Sequence, residues 1–356
     1  MNIIIFLIIL VVLILVHEFG HFIAAKKSGV LVEEFGIGFP PRLYGRKIGE
    51  TVYSINLIPL GGFVRLYGEE YSQLEEGERA RLKSRAFVSK PHFQKAIIII
   101  AGIVGNFILG WVLISYLFTR GVPVPTDKVI IDSVQGGSPA KHAKLAPRDV
   151  ILKVRSKNKV FIIKKADDFI TIAKNSAGSE ISIEYARDDV IGQTKLTPRK
   201  NPPAGQGALG VVITTFEERK YPWYKAPFFG LFEAGKITKS IIVELARTIG
   251  GLIAFQKPKA DITGPIGIVH FTGQAVKYGQ NAVLELVAIL SLNLAVINIL
   301  PFPALDGGRL AFVVYEWVTR RRVNAKFERI TNLAGIIILL TLAVVVSIFD
   351  VIKFYK

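Results

Sequence analysis

The sequence contains no cysteine. That excludes a disulfide framework and any thiolate metal site, and leaves His, Asp and Glu as candidate ligands. Acidic residues are outnumbered as well: 28 Asp and Glu stand against 45 Lys and Arg, a formal charge of +17. No nucleic-acid-binding motif accompanies that excess. The basic residues are therefore read as flanks of membrane spans that favour an anionic lipid surface, and nucleic acid is not expected as a partner. Apolar residues, by contrast, make up 51% of the chain, and the mean hydropathy of +0.41 is high for a soluble enzyme.

That apolar content is concentrated in four runs, predicted as membrane spans at about 3–25, 93–118, 283–303 and 330–349. The first is roughly 34 Å long as a helix, matching a bilayer core. No charged side chain precedes it and no small-x-small site follows, so a retained span is expected rather than a cleaved signal peptide. Lys26 and Lys27 close it and place the N-terminus outside. With four spans, the basic loops 26–95 and 307–329 fall on one side, as the positive-inside bias requires. The second span holds Gly102, Gly105 and Gly110, which allow close helix approach, and Asn106, read as a packing or interhelical hydrogen-bonding residue.

Between the spans the composition changes. Residues 30–70 are rich in Gly, Pro and aromatics, with alternating pieces Thr51–Leu57 and Gly62–Leu66. They read as short strands broken at Pro40-Pro41, Gly49 and Pro59, a hairpin region at the membrane surface. Glu69 to Lys90 reads as a charged loop or surface helix. Residues 122–216 are expected to form a separate α+β domain of short β-branched strands, with helical pieces near 138–145 and 166–175. A segment at about 222–255 has the pattern of an amphipathic interfacial helix, ended by a Pro- and Gly-containing loop from Lys257 to Gly267. Three parts result: a membrane half 1–121, the domain 122–216 and a second membrane half 217–356.

The chemistry-bearing stretch is Val16-His17-Glu18-Phe19-Gly20-His21. Two histidines four residues apart share one helical face, at a spacing that lets both imidazoles reach one zinc ion. Glu18 is then placed to act as base toward a water on that metal. A His-Glu pair within a membrane-length apolar run is costly and marks function. The third span ends in Asn298-Ile299-Leu300-Pro301-Phe302-Pro303-Ala304-Leu305-Asp306-Gly307-Gly308-Arg309. Its prolines and glycines cannot continue a helix, so the backbone unwinds at membrane depth, which is tolerated only inside protein or beside a cavity. Asp306 reaches the depth of His17 and His21 from the other end of the chain. Together they make a two-nitrogen, one-oxygen zinc site that leaves a fourth position open. Asn298 is a candidate donor to substrate backbone or oxyanion.

Two resemblances follow from these residues. Ile131-Asp132-Ser133-Val134, Gly137-Ser138-Pro139-Ala140, Leu145 and Asp149-Val150-Ile151 resemble a bacterial PDZ domain. The resemblance makes Leu209-Gly210-Val211 the carboxylate-binding loop and its adjoining strand, a groove for a peptide C-terminus. Lys144 and Arg148 stand where that family usually has Gly, which puts the turn between them in question. His17-Glu18-Phe19-Gly20-His21 with Asn298 through Gly308 resembles the site-2 protease family of intramembrane zinc metalloproteases, regulator of sigma-E protease type. Phe35–Phe39, Ile58–Val64 and Thr263–Gly267 extend the likeness along the chain. The resemblance implies four spans, an extracytoplasmic PDZ insert, a place in the bacterial inner membrane and cleavage of pre-cleaved single-span substrates. It also implies that the 51–66 hairpin, with Tyr53, Ile55, Gly61 and Gly62, holds substrate as an added strand. Best-known members carry two PDZ domains where this chain has room for one, and Arg309 stands where some have His.

The fold expected is thus a polytopic α-helical membrane protein with a membrane-associated β-hairpin region and an inserted PDZ domain. The alternative function is a membrane-tethered PDZ scaffold with a structural zinc; the retained Glu18 argues against it. A metal transporter would need polar residues along several spans, and these runs have one polar cluster.

Overall fold

The computed structural model describes residues 2–69, 78–157, 159–188, 190–203, 205–254 and 263–354. The chain divides into two compact units, one of residues 1–117 with 222–356 and one of residues 118–221.

In the first unit, four helices are long and apolar enough to cross a membrane: α1 (Asn2–Lys27), α2 (His92–Arg120), α7 (Gln280–Ile299) and α9 (Ala325–Phe354). Their residue content explains the state: long apolar runs satisfy every backbone group internally only as helix. The third span stops at Ile299, earlier than the sequence pattern suggested, because Leu300 turns to extended backbone before Pro301. Helix α5 (Ala226–Ile253) falls on the amphipathic segment, and α8 (Asp306–Thr319) begins at Asp306 itself. Helix α6 (Pro265–Tyr278) corrects the reading of 257–267 as loop throughout: Pro265 opens a helix instead of ending one, since its missing N–H costs nothing at a first turn. Residues 255–262 of that segment, and 70–77 of the charged stretch, lie outside the described residues. Glu78–Arg85 and Phe87–Ser89 are 3-10 turns.

Strands β1 (Val32–Ile48) and β2 (Thr51–Leu66) follow α1. Both are bent. Val32–Ile37 lies against Leu66–Gly62, Tyr44–Ile48 lies against Ile55–Thr51, and Glu34–Ile37 also faces Val52–Ile55. The Val52–Ile55 limb is therefore paired on both sides, while among the described residues Gly62–Leu66 pairs with Val32–Ile37 alone. Glu34 locks the bend from inside: it is buried, accepts from the Ser54 hydroxyl at 2.6 Å and pairs with Arg42 at 2.7 Å and Arg65 at 3.3 Å. Burial pushes its carboxyl up, but the Ser54 hydroxyl and the two arginines outweigh burial and hold it below the ordinary 4.5.

In the second unit β3 (Val122–Val134), β4 (Val150–Ser156), β5 (Lys159–Ile162), β6 (Ile181–Arg187), β7 (Val190–Leu196) and β8 (Val211–Arg219) form one sheet. The order is β7-β6-β4-β3-β8, with β5 on β4. Helices α3 (Pro139–His142) and α4 (Ala166–Asn175) accompany it. Val129, Ile131, Ile151, Val154, Ile181 and Ile183 build the core, the inward set of strands that alternate in burial. Lys144 (φ 58°) and Arg148 (φ 73°) hold the left-handed conformation that favours glycine, so the turn keeps that geometry with side chains that resist it.

Candidate metal centre

Helix geometry stacks His17 and His21 on one face of α1. Two close approaches complete the site. Helix α2 runs so near that a Cβ on Gly102 would lie 2.3 Å from His21 Nε2, leaving hydrogen as the only side chain that fits. After α7, the segment Leu300–Leu305 folds back over the start of α8, where a Cβ on Gly307 would meet the Leu300 carbonyl at 2.2 Å. The paired glycines thus let the unwound segment turn tightly and aim Asp306 at α1.

The result is a triangle of ligand atoms. Asp306 Oδ2 lies 2.9 Å from His17 Nε2 and 3.2 Å from His21 Nε2, and the two nitrogens are 3.1 Å apart. The three side chains are 11%, 13% and 15% exposed for His17, His21 and Asp306, which takes them out of bulk water. They are the group of His, Asp and Glu found among the described residues with the arrangement to hold a metal ion. Their edges approach the roughly 3.3 Å between ligand atoms around a tetrahedral zinc with bonds of about 2.0–2.1 Å.

The donor chemistry fits a cation as well as the distances do. His21 Nδ1 donates to the Ile98 carbonyl at 2.8 Å, so its Nε2 presents a lone pair. Asp306 Oδ2 is buried and makes no hydrogen bond despite its short distances to both rings. Acceptors facing acceptors out of water repel unless a positive charge lies between them, and a neutral-imidazole and carboxylate set is one zinc accepts.

Glu18 borders the triangle. With His21 and Asp306 it lines a cavity of about 100 Å³, closed on other sides by Val64, Leu66 and the ion pair between Arg309 and Glu69. The Cβ position of Gly62 lies 3.5 Å from Glu18 Cγ, which brings one limb of β2 beside the glutamate.

The remaining sequence-predicted residues divide. Gly62 belongs to this neighbourhood. Gly61 packs under the Phe39 ring, its Cβ position 2.6 Å from Phe39 Cε2. Tyr53 and Ile55 are corrected as an added-strand edge: Tyr53 pairs with Phe35 and Arg46, Ile55 with Ile37 and Tyr44, so both backbone sides are taken. Tyr53 instead packs edge-on against Phe22 and tilted against Phe35. Asn298 is half-buried in the last turns of α7 and is not among the residues lining the small cavity. In the second unit Leu209 is a core residue, Gly210 takes a φ of 70° with Ser138 against it, and Val211 opens β8. Gly102, Ile98 and Arg309 are the neighbours of the site that spacing did not assign a role. Gly102 carried a sequence signal in its small-residue run and Arg309 one in its departure from the family pattern; Ile98 carried none.

The sequence profile of Peptidase family M50 matches residues 5–342. A putative zinc metalloprotease of Clostridium perfringens is 34% identical over 343 residues, covering 96% of this chain and 95% of that protein. Another from Fusobacterium nucleatum is 30% identical over 367 residues and covers both chains completely. The regulator of sigma-W protease RasP of Bacillus subtilis is 26% identical over 424 residues, 98% of each chain. A solved PDZ domain of an SdrC-like protein from Listeria monocytogenes aligns at 22% identity with 26% of this chain and 94% of its own, at a TM-score of 0.22. A whole-length profile match and relatives at this identity, over a site whose buried acceptors suit zinc, carry one conclusion: the chain belongs to peptidase family M50 and is a zinc metalloprotease of the site-2 protease type.

Proposed function

We propose that this metalloprotease is an intramembrane endopeptidase of the bacterial cytoplasmic membrane. Its substrates are single-span proteins of the anti-sigma-factor kind, already shortened by another protease. The observation that carries the reading is the location of the chemistry: His17, Glu18 and His21 sit within α1, itself long and apolar enough to cross a bilayer. The regulatory role named for the Bacillus subtilis relative agrees with this substrate class.

Zinc held by His17, His21 and Asp306 supplies a Lewis acid toward water and the scissile carbonyl. Glu18, lining the same cavity, takes the proton of the attacking water and delivers it to the departing amine. Asn298 donates its amide to substrate backbone. The Gly62–Leu66 limb, paired on one side and adjacent to Glu18, offers main-chain groups to an extended substrate as an added strand. A helical substrate hides its carbonyls in hydrogen bonds, so it unwinds locally before it is cut. The 118–221 unit, extracytoplasmic by the basic-loop bias, takes a peptide C-terminus at Leu209-Gly210-Val211.

Purified protein in lipid vesicles with a membrane-embedded reporter tests this. Glu18→Gln lowers cleavage roughly 10²–10⁴-fold while zinc stays bound. A reporter with helix-weakening residues near the scissile bond is cut faster than one built of strong helix formers. Equal cleavage by Glu18→Gln and the parent removes Glu18 as base; cleavage confined to soluble peptides removes the intramembrane reading.

A further inference from the structure

We infer that Asn106 of α2 is a positioning residue for the metal centre, its side-chain oxygen accepting the Nδ1–H of His17 so that the Nε2 lone pair faces the metal position. The inference rests on the zinc reading above and concerns the half of the His17 ring that reading leaves unexplained. A histidine that ligates through one nitrogen needs its other N–H held by an acceptor, which fixes tautomer and ring orientation. His21 has that acceptor in the Ile98 carbonyl. For His17 the group at hand is the Asn106 side chain, which is wholly buried and lies 3.4 Å from His17 Nδ1.

The amide turns its nitrogen to the ring and leaves its oxygen buried without a hydrogen-bond partner among the described residues. Nitrogen and oxygen of an amide are assigned from the network around them. With nitrogen inward, a protonated Nδ1 would meet a second donor. A bare Nδ1 would put the ring proton on Nε2, where it would block the ligand position. Rotating the amide by a half-turn resolves both: the oxygen gains the Nδ1–H, and Nε2 joins His21 Nε2 and Asp306 Oδ2 as an acceptor. The backbone at this turn is anchored independently, since the Ser291 hydroxyl donates to the Asn106 carbonyl at 2.7 Å and ties α2 to α7. The amide is thereby held at the ring by main chain that a side-chain substitution leaves in place.

Zinc affinity of the full-length protein in detergent, measured by chelator competition, tests this without reference to activity. The set is the parent, His17→Ala, Asn106→Leu and Asn106→Asp, each checked for helix content by circular dichroism. Asn106→Leu binds zinc about 10–100-fold more weakly, the usual effect of losing such a partner, and Asn106→Asp, which keeps the acceptor, stays within about threefold of the parent. Parent affinity in Asn106→Leu overturns the inference. So does an Asn106→Asp loss as large as that of Asn106→Leu, because an amide that donates to the ring predicts that result. If Asn106→Leu does not fold, Asn106→Asp against the parent decides by the same criterion. If His17→Ala binds zinc as the parent does, the metal site itself is wrong and the inference falls with it; if His17→Ala loses zinc while Asn106→Leu keeps it, only the inference falls.

Discussion

Two aspartates with enclosed oxygens, one in each unit, carry the same carboxylate into opposite surroundings. Asp149 is fully enclosed and its oxygens are answered: Arg187 Nε donates at 2.6 Å, Arg187 Nη2 at 2.8 Å and the Ala146 amide at 2.9 Å. Asp306 is 15% exposed, but its Oδ2 is enclosed, faces two imidazole nitrogens and makes no hydrogen bond. Burial therefore does not distinguish a structural carboxylate from a functional one. What distinguishes them is whether the chain supplies donors. Asp149 is complete within the protein and closes a turn; Asp306 is complete only with a cation.

The same substitution at both positions should separate them most sharply. Asp306→Asn removes the charged ligand, so zinc affinity falls by at least about 100-fold and cleavage is lost, as equilibrium dialysis and a reporter assay would register. Asp149→Asn leaves zinc and cleavage in place. It costs the 118–221 unit about 2 kcal/mol, below the roughly 3–5 kcal/mol of a fully buried broken pair because Arg187 is 41% exposed, seen as faster amide exchange in that unit alone. Equal zinc loss in the two variants would erase the contrast. Next in size is Gly102→Ala, whose Cβ would crowd His21 Nε2; a drop in zinc affinity of about tenfold or more with helix content retained is expected. A glycine that merely eases helix packing would instead lower stability and leave zinc bound.

A third buried carboxylate extends the comparison to pH. Glu34, like Asp149, is satisfied by donors, and its folded pKa lies below the ordinary 4.5. Its contribution to the β1–β2 sheet is therefore full above about pH 4.5 and is lost as pH falls through the folded value. Glu50, held down to about 2 by Arg85 and then Lys26, keeps its charge well into that range. Amide-exchange protection factors in residues 32–66, taken against the intrinsic rate at each pH, should fall below pH 4.5, and Glu34→Gln should remove that acid sensitivity. The smallest effect belongs to the turn beside Asp149: Lys144→Gly relieves a left-handed residue and stabilises the second unit by up to about 1 kcal/mol in urea unfolding.

Much of this was legible in the residue string, and the reasons are specific. The spans were visible because long apolar runs have one backbone solution in lipid, and α1, α2 and α9 extend only a few residues past the predicted limits. The strands at Val129–Ile131, Val150–Leu152, Ile181–Ile183 and Val211–Ile213 were marked by β-branched runs; β5, short and exposed, and β7, more polar, were not. Helix α6 was hidden because Pro and Gly at 264–267 read as a break when they form its first turn. The hairpin residues separated, since alternation shows which pieces are extended but not which have a neighbour on both sides. Gly62 sits at the open limb; Tyr53 and Ile55 do not.

The candidate ligands were legible in the sequence, because a four-residue helical spacing puts two imidazoles on one face whatever surrounds them, and the Pro-rich break sets Asp306 beyond the end of the preceding span. Their convergence was not. That Asp306 comes within 3.2 Å of both rings depends on Gly307 lying under the Leu300 carbonyl and on α2 passing close enough to leave Gly102 no side chain. Such distances are set by packing between segments nearly three hundred positions apart, and no local pattern encodes a contact whose two sides meet only after the chain has folded.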